Sequence, residues 1–267
     1  GVTVMEPEVG PLASGLSGPG RFPEIEAIVE AIHHLLTPLR DLATERLLIT
    51  SGPTREPLDP VRYLSNRSSG KMGRALAIAA LRRGAQVTFV SGPTSLAPPI
   101  GATYVPVETA EEMREAVLQH LGKATIVVKA AAVADYRPKS QSPFKIESKR
   151  EGLALEFVPN PDILKEIAGR KGGAFIVGFA AETHDVSSRA RAKLESKGID
   201  LLVVNDVTRS GIGFEADDNQ VSLLDRWRGT LELPRMTKLQ VAHAIYDRVL
   251  SLRAQHPERV ARYVLSE

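Results

Sequence analysis

The feature that most constrains this chain is a series of short apolar runs, spaced so that helix-like segments fall between them. Residues 153–158 alternate like a strand, and 46–50, 86–90, 103–107, 125–134, 175–181 and 200–204 read as strands that are mostly apolar along their length. Such runs belong to strands buried on both faces of a parallel sheet. Between them, residues 74–81 and 185–197 are helical in pattern, and Thr109-Ala110-Glu111-Glu112 is a capping-box start for a helix to about residue 121. Asn160-Pro161-Asp162 offers an N-cap, a proline at the first helical position and an acidic first turn. The pattern predicts an α/β, Rossmann-like, mostly parallel sheet with helices on both faces. Residues 220–224 and 230–233 predict a small late antiparallel extension, and 237–252 a terminal helix. Pro106 marks the 103–107 run as an edge or a strand end.

Residues 1–45 stand outside this alternation. The first twenty are rich in glycine, proline and serine, the chain begins at Gly1, and residues 23–36 carry apolar positions at helical spacing. The expected organisation is a linker and peripheral helix over 1–45, the main domain over 46–253 and a fraying tail over 254–267. At 267 residues and 43% apolar content there is enough chain for one substantial core. A net charge of +2 gives no case for non-specific nucleic-acid binding, and no apolar run approaches the roughly 18–20 residues of a membrane span. With no cysteine there is no disulfide framework, thiolate metal site or cysteine nucleophile. The expectation is a soluble cytoplasmic protein.

The candidate chemistry lies where apolar runs end. After the 46–50 strand come a polar loop and then Ser65-Asn66-Arg67-Ser68-Ser69-Gly70-Lys71-Met72-Gly73, opening a helix. Small residues there let an anion approach backbone N–H groups; the same residues also suit a glycine-eased helix start. A dinucleotide site is disfavoured, because the G-x-G-x-x-G fingerprint is absent and the second strand ends in Ser91-Gly92 without an acidic residue. No tyrosine has a lysine four residues on, and the Gly70-Lys71-Met72 run is not a Walker loop.

Ser51-Gly52, Asp135, Phe179-Ala180-Ala181-Glu182 and Asn205-Asp206 each follow a strand run. The carboxyl ends of parallel strands line a ligand crevice, although each group alone is also an ordinary turn. Arg189, Lys193 and Lys197 recur at i, i+4, i+8. Like charges at that spacing repel by roughly 0.2–0.5 kcal/mol per pair, so the stripe is either solvated surface or the seat of an anionic partner. Lys145, in the polar 138–150 segment, could close over the same anion. The six histidines are scattered without ligand spacing, and Asp135 could help hold Mg²⁺ through phosphates or water.

Several runs together resemble the bacterial phosphopantothenoylcysteine synthetase family. They are Ile49-Thr50-Ser51-Gly52-Pro53-Thr54-Arg55-Glu56-Pro57-Leu58-Asp59-Pro60-Val61-Arg62-Tyr63, the 65–73 run, Ala130-Ala131-Ala132-Val133-Ala134-Asp135-Tyr136-Arg137, Asn160-Pro161-Asp162-Ile163, Gly178-Phe179-Ala180-Ala181-Glu182-Thr183 and Asn205-Asp206-Val207. The resemblance implies a ligase that uses CTP to activate 4′-phosphopantothenate as an acyl-cytidylate, from which L-cysteine displaces CMP. It implies that Gly52, Ser68, Gly70 and Gly73 face the nucleotide phosphates and that Ala130 and Ala131 read the cytosine edge. Asp135, Lys145, Asn160, Pro161, Asp162, Ile163, Phe179, Lys193, Lys197 and Asn205 complete the nucleotide site.

Asn66 and Lys145 take the catalytic roles, and Arg62, Asn66, Ala131, Ala132 and Asp135 hold the substrate. Arg62 reaches it across a homodimer interface. Mg²⁺ is implied, with Asp135 beside it. FMN belongs only to an N-terminal decarboxylase half, whose end or linker Gly20-Arg21-Phe22-Pro23-Glu24 resembles. The lysine-bearing loop departs from the family pattern, which leaves Lys145 and Lys149 as alternatives for closing on the ligand. Two rival functions remain, a nicotinamide-dependent oxidoreductase and a non-catalytic nucleotide-binding module.

Overall fold

A computed structural model describes residues 2, 4–37, 39–147, 152–170, 172–182, 186–206 and 216–257. Its main sheet contains β1 (Arg46–Ser51), β2 (Gln86–Ser91), β3 (Thr103–Pro106), β4 (Ile126–Lys129), β5 (Phe175–Glu182), β6 (Leu201–Asp206), β7 (Val221–Asp225) and β8 (Thr230–Glu232). The spatial order is 3-2-1-4-5-6-7-8. The first six strands run parallel, while β7 and β8 add the late antiparallel pair.

The helices are α1 (Ile25–Leu36), α2 (Lys71–Arg82), α3 (Ala110–Leu121), α4 (Ile163–Arg170), α5 (Val186–Lys197) and α6 (Lys238–Gln255). Alternate residues of each buried strand enter opposite cores, as the two-residue strand period requires. Leu47, Ile49, Val128 and Val177 pack with α2 and α6; Leu48, Val127, Ile176 and Leu202 pack with α3, α4 and α5. Tyr246 of α6 is fully buried and donates its hydroxyl to the Leu76 carbonyl of α2 at 2.9 Å, which ties the two helices of one layer. Arg83, also buried, pairs with Asp41 at 2.5 Å and Asp247 at 2.7 Å, joining the end of α2 to the chain before β1 and to α6. The peripheral α1 is held on α2 by Glu30 and Arg82, 2.7 Å apart.

Four local expectations change. The 125–134 run leaves the ladder after Lys129 and meets the chain after β1 again in one isolated parallel bridge, Ala132 with Pro53. In that bridge Ala132 N–H donates to the Gly52 carbonyl at 2.9 Å and its carbonyl accepts from the Thr54 N–H at 3.2 Å, while Ala134 N–H donates to the Thr54 hydroxyl at 3.0 Å. The 153–158 strand shrinks to Phe157–Pro159, which pairs with Tyr136–Pro138 as a separate ribbon. Two further ribbons, Arg55–Pro57 with Tyr63–Ser65 and Glu8–Pro11 with Ser17–Arg21, occupy stretches read as irregular. Finally, α4 starts at Ile163, since Asp162 accepts from the Lys165 N–H at 3.1 Å and does the capping. Asn160 is spent elsewhere, donating its side-chain amide to the Ala134 carbonyl at 2.9 Å.

Candidate functional site

In this strand order the connections reverse direction between β1 and β4, and that is where an open parallel sheet leaves a crevice outside its carboxyl ends. Close chain packing shapes its floor. A Cβ on Gly73 would stand 2.3 Å from Ser51 Oγ, and one on Gly92 1.7 Å from the Pro53 carbonyl oxygen. These glycines let α2 and the chain after β2 lie directly on the end of β1. Gly70 has φ +75°, a left-handed conformation that turns the loop into α2.

The α2 N-terminus, where positive dipole and backbone N–H groups gather, faces a narrow slot of about 70 Å³. Ser68, Gly70, Lys71, Phe179, Asn205 and Lys238 are among its walls. Lys71 pairs with Asp217 at 2.7 Å, and Lys238 donates to the Ala216 carbonyl. Burial lowers the Lys238 ammonium and Lys71 adds to that, against Asp217 and Asp218. Asn205 Oδ1 is buried with no hydrogen-bond partner. An acceptor of that kind is costly unless a donor reaches it, so the slot has room for a ligand N–H or O–H.

Across Phe179 lies a wider cleft of about 430 Å³. One wall is the 131–135 backbone, another the Asn160-Pro161-Asp162 turn leading into Ile163, and a third is α5, which contributes Lys193 and Lys197. Lys197 is paired with Asp162. Burial would raise the Asp162 carboxyl, but the Lys197 bond, the Lys165 amide and the charges of Lys197 and Lys129 bring it below its usual value. Lys129, at the end of β4, projects into the same cleft. Burial pushes its ammonium down to about 8, Lys193 and Lys197 push the same way, and Asp162 and Asp135 oppose them.

The structure therefore brings Ser68, Gly70, Gly73, Ala130 and Asn205 into the slot, and Ala131, Ala132, Asp135, Asn160, Pro161, Asp162, Ile163, Lys193 and Lys197 into the cleft, with Phe179 between them. Gly52 lines neither; it lies buried beneath the bend, its Cα 3.5 Å from where a Gly70 Cβ would be. Asn66 sits at the cleft margin and donates to the Ala132 carbonyl at 2.9 Å. Arg62 is away from both cavities, bound to Asp59 at 2.6 Å and to the Ile146 carbonyl at 2.6 Å. Lys145 is exposed on the loop beside that contact. Lys149, Thr183 and Val207 lie outside the described residues, as do the side chains of Glu182, Arg189 and Asp206.

Among the described residues no three acidic or histidine side chains gather to hold a metal. Asp135 is an exposed carboxylate at the cleft, which fits Mg²⁺ only in the mode where nucleotide phosphates and water supply most ligands. Sequence reasoning missed Lys129, Lys71 and Lys238. The signal for Lys129 was present, a lysine closing the apolar run Ile126-Val127-Val128 at a strand's carboxyl end. Lys238 gave none, because its nearness to Lys71 arises only when α6 packs on α2.

A parallel sheet in this order, with a lysine-rich crevice at its reversal, defines a Rossmann-like protein whose site is built from strand ends and the α2, α4 and α5 neighbourhoods. Residues 42–252 match the DNA/pantothenate metabolism flavoprotein C-terminal domain, and the chain belongs to that family. It is 44% identical over 262 residues to the coenzyme A biosynthesis bifunctional protein CoaBC of Bacillus subtilis (strain 168), covering 97% of this chain and 64% of that protein. The protein of the same name from Escherichia coli (strain K12) is 42% identical over 256 residues, 94% of this chain and 63% of the relative. The chain thus spans a little under two thirds of these relatives. The crystal structure of the C-terminal domain of CoaBC superposes with a TM-score of 0.70 at 41% identity, covering 80% of this chain and 98% of that one. A Cab2 mutant in complex with phosphopantothenate-cysteine shares the fold at 19% identity and a TM-score of 0.66, covering 90% of this chain and 96% of that one.

Proposed function

We propose that the chain is a phosphopantothenate–cysteine ligase of coenzyme A biosynthesis. CTP activates the carboxylate of 4′-phosphopantothenate as an acyl-cytidylate with release of pyrophosphate; the L-cysteine amine then displaces CMP to give 4′-phosphopantothenoyl-L-cysteine. The observation that carries this reading is the convergence of lysines from β4 and α5 on the crevice at the sheet's reversal, in a chain whose relatives are named for coenzyme A biosynthesis. A carboxylate attacking an α-phosphate brings like charges together. Such a reaction needs fixed cations and N–H donors more than it needs a protein nucleophile, and it gains from holding both reactants in one cavity.

In this proposal the Ser68–Gly73 bend takes phosphates, with Gly52 supporting it from beneath. Ala130 and Ala131 read the cytosine edge, while the Asn160–Ile163 turn, Phe179, Lys193, Lys197 and Asn205 complete the nucleotide site. Asn66, fixed at the margin by the Ala132 carbonyl, touches the acyl-cytidylate; Ala131, Ala132 and Asp135 adjoin the pantothenate portion. Mg²⁺, when bound, neutralises phosphate charge, with Asp135 as its protein neighbour.

Lys145 and Arg62 complete the site from the loop and the 55–65 ribbon, Arg62 acting on the substrate of a partner subunit in a homodimer. Exposed Val61 and Tyr63 on that ribbon, Tyr136 on the ribbon beside it and Phe144 on the loop support that dimer, since clustered apolar exposure marks an interface. Residues 1–45 join the 46–253 ligase domain to an FMN-dependent decarboxylase half, and the protein works in the cytoplasm. No helix among the described residues is long and apolar enough to cross a membrane.

The test is to mix the protein with CTP, Mg²⁺ and 4′-phosphopantothenate. Pyrophosphate release, followed by CMP and amide formation once L-cysteine is added, is the expected result. CTP binding without pyrophosphate would leave a nucleotide-binding module, and NADH protection against unfolding would favour an oxidoreductase.

A further inference from the structure

Resting on that nucleotide reading, we propose that Lys129 is a further ligand-binding residue of the cleft, its ammonium contacting a phosphate oxygen of the bound nucleotide. Lys129 is the last residue of β4, opposite Thr50 of β1 and Gly178 of β5 in the ladder. It therefore stands at the point where the sheet's connections reverse. The residues before it, Ile126, Val127 and Val128, are fully buried. A lysine at this position loses hydration without serving the core, and so needs an anion to offset the loss.

Charged groups from three elements surround Lys129. Asp135 from the loop after β4 and Asp162 from the turn before α4 face it, and so do Lys193 and Lys197 of α5. Asp162 is already engaged by Lys197. Lys129, Lys193 and Lys197 bring three ammonium groups to one concave wall, where a polyanion gains most from a fixed cation.

This placement has a measurable consequence. With its ammonium held at about 8, Lys129 is roughly half protonated at pH 8 in the free protein. A phosphate beside it favours the charged form, so nucleotide binding near pH 8 takes up protons. Among the described residues no histidine lines the slot or the cleft. Lys238, beside Lys71 in the adjoining slot, is also a lowered ammonium, and variants at position 129 separate the two.

Calorimetric titration of CTP with Mg²⁺ at pH 8, in two buffers of different ionisation enthalpy, measures the uptake directly. The wild type should take up roughly half a proton per CTP. Lys129→Met should bind about tenfold more weakly and lose most of that uptake, whereas Lys129→Arg should keep the affinity with the uptake gone. Equal affinity and uptake in wild type and Lys129→Met would overturn the assignment. If Lys129→Met does not fold, unchanged uptake in Lys129→Arg overturns it equally. Wild-type protein that binds no CTP in either buffer would bring down the nucleotide reading itself, and this inference with it.

Discussion

Glycine positions show how closely the site is assembled from backbone. Gly92 has room for no side chain, since its Cβ would lie 1.7 Å from the Pro53 carbonyl oxygen, a backbone atom that cannot swing aside. Gly92→Ala should destabilise the fold by about 3 kcal/mol, at the upper end of overpacking costs. Gly169, within α4, has nothing within 4 Å of a built Cβ. There the better helix propensity of alanine should stabilise by roughly 0.5–1 kcal/mol. Urea midpoints of the two variants, measured side by side, check both signs.

Asn66 illustrates a different sensitivity, because its amide is exposed and its bond to the Ala132 carbonyl only orients it. Asn66→Ala should leave CTP affinity within about twofold while ligase turnover falls by roughly 100-fold, the order seen when one positioned donor is lost. Single-turnover assays with CTP binding measured in parallel decide this; near-normal turnover would remove Asn66 from the reacting centre.

At the scale of elements, the structure hangs its two accessory ribbons on one carboxylate. Asp59 Oδ1 accepts from the N–H groups of Val61 and Arg62, both at 2.8 Å. Its Oδ2 accepts from Arg62 Nε at 2.9 Å, Arg62 Nη2 at 2.6 Å and the Ile146 N–H at 3.0 Å. The residue before Ile146 is Lys145, so one buried side chain fixes both the Arg62 ribbon and the lysine-bearing loop. The Arg62 bond holds the Asp59 carboxyl well below the usual range; burial opposes it, and the three backbone amides reinforce it.

A depressed carboxyl contributes stability that is complete above its unfolded value, near 3.8, and is lost as the pH falls toward the folded one. Asp59→Asn should therefore lower the thermal midpoint by a constant amount from pH 5 to 7. The gap from wild type should close as the pH drops from 4 to 2, and a gap that widened in acid would contradict the assignment.

The same scale explains what the sequence made legible. The buried strands could be read because their runs are apolar on both faces, and the two halves of the core follow from their two-residue period. The ribbons could not: residues 55–65 and 138–150 carry no periodicity, the alternation of 153–158 names no partner strand, and the bond from the Ile146 N–H to Asp59 spans 87 residues. β4 stops at Lys129 within a run that stays apolar to Ala134, and no local pattern marks that end. Asn160, a good N-cap by type, is diverted by the Ala134 carbonyl, and Asp162 takes its place.

At the scale of the whole molecule, the ribbons stand beside the sheet, with Tyr136–Pro138 lying against Arg55–Pro57 and the Ser142 N–H bonded to the Leu58 carbonyl at 3.0 Å. The apolar residues on them and on the adjoining loop are left outside both cores: Phe144 of the loop is 79% exposed and Val61 61%. Tyr63 is half exposed beneath the Arg55 guanidinium, which stacks 4.6 Å from its ring centre. In the homodimer proposed above, this projection would carry Arg62, which lines neither the slot nor the cleft of its own subunit, to the site of the partner. Burying a few such side chains on each partner gives roughly 1.5–3 kcal/mol apiece, enough to outweigh the cost of association. Val61→Glu combined with Phe144→Glu should therefore shift sedimentation from dimer to monomer at micromolar concentration. Ligase turnover should fall with the dimer, while CTP still binds within a few-fold, because the slot and cleft are lined by residues of one subunit alone. A monomeric wild type, or a monomeric variant with full turnover, would place Arg62 outside the reaction and leave each subunit a self-sufficient site.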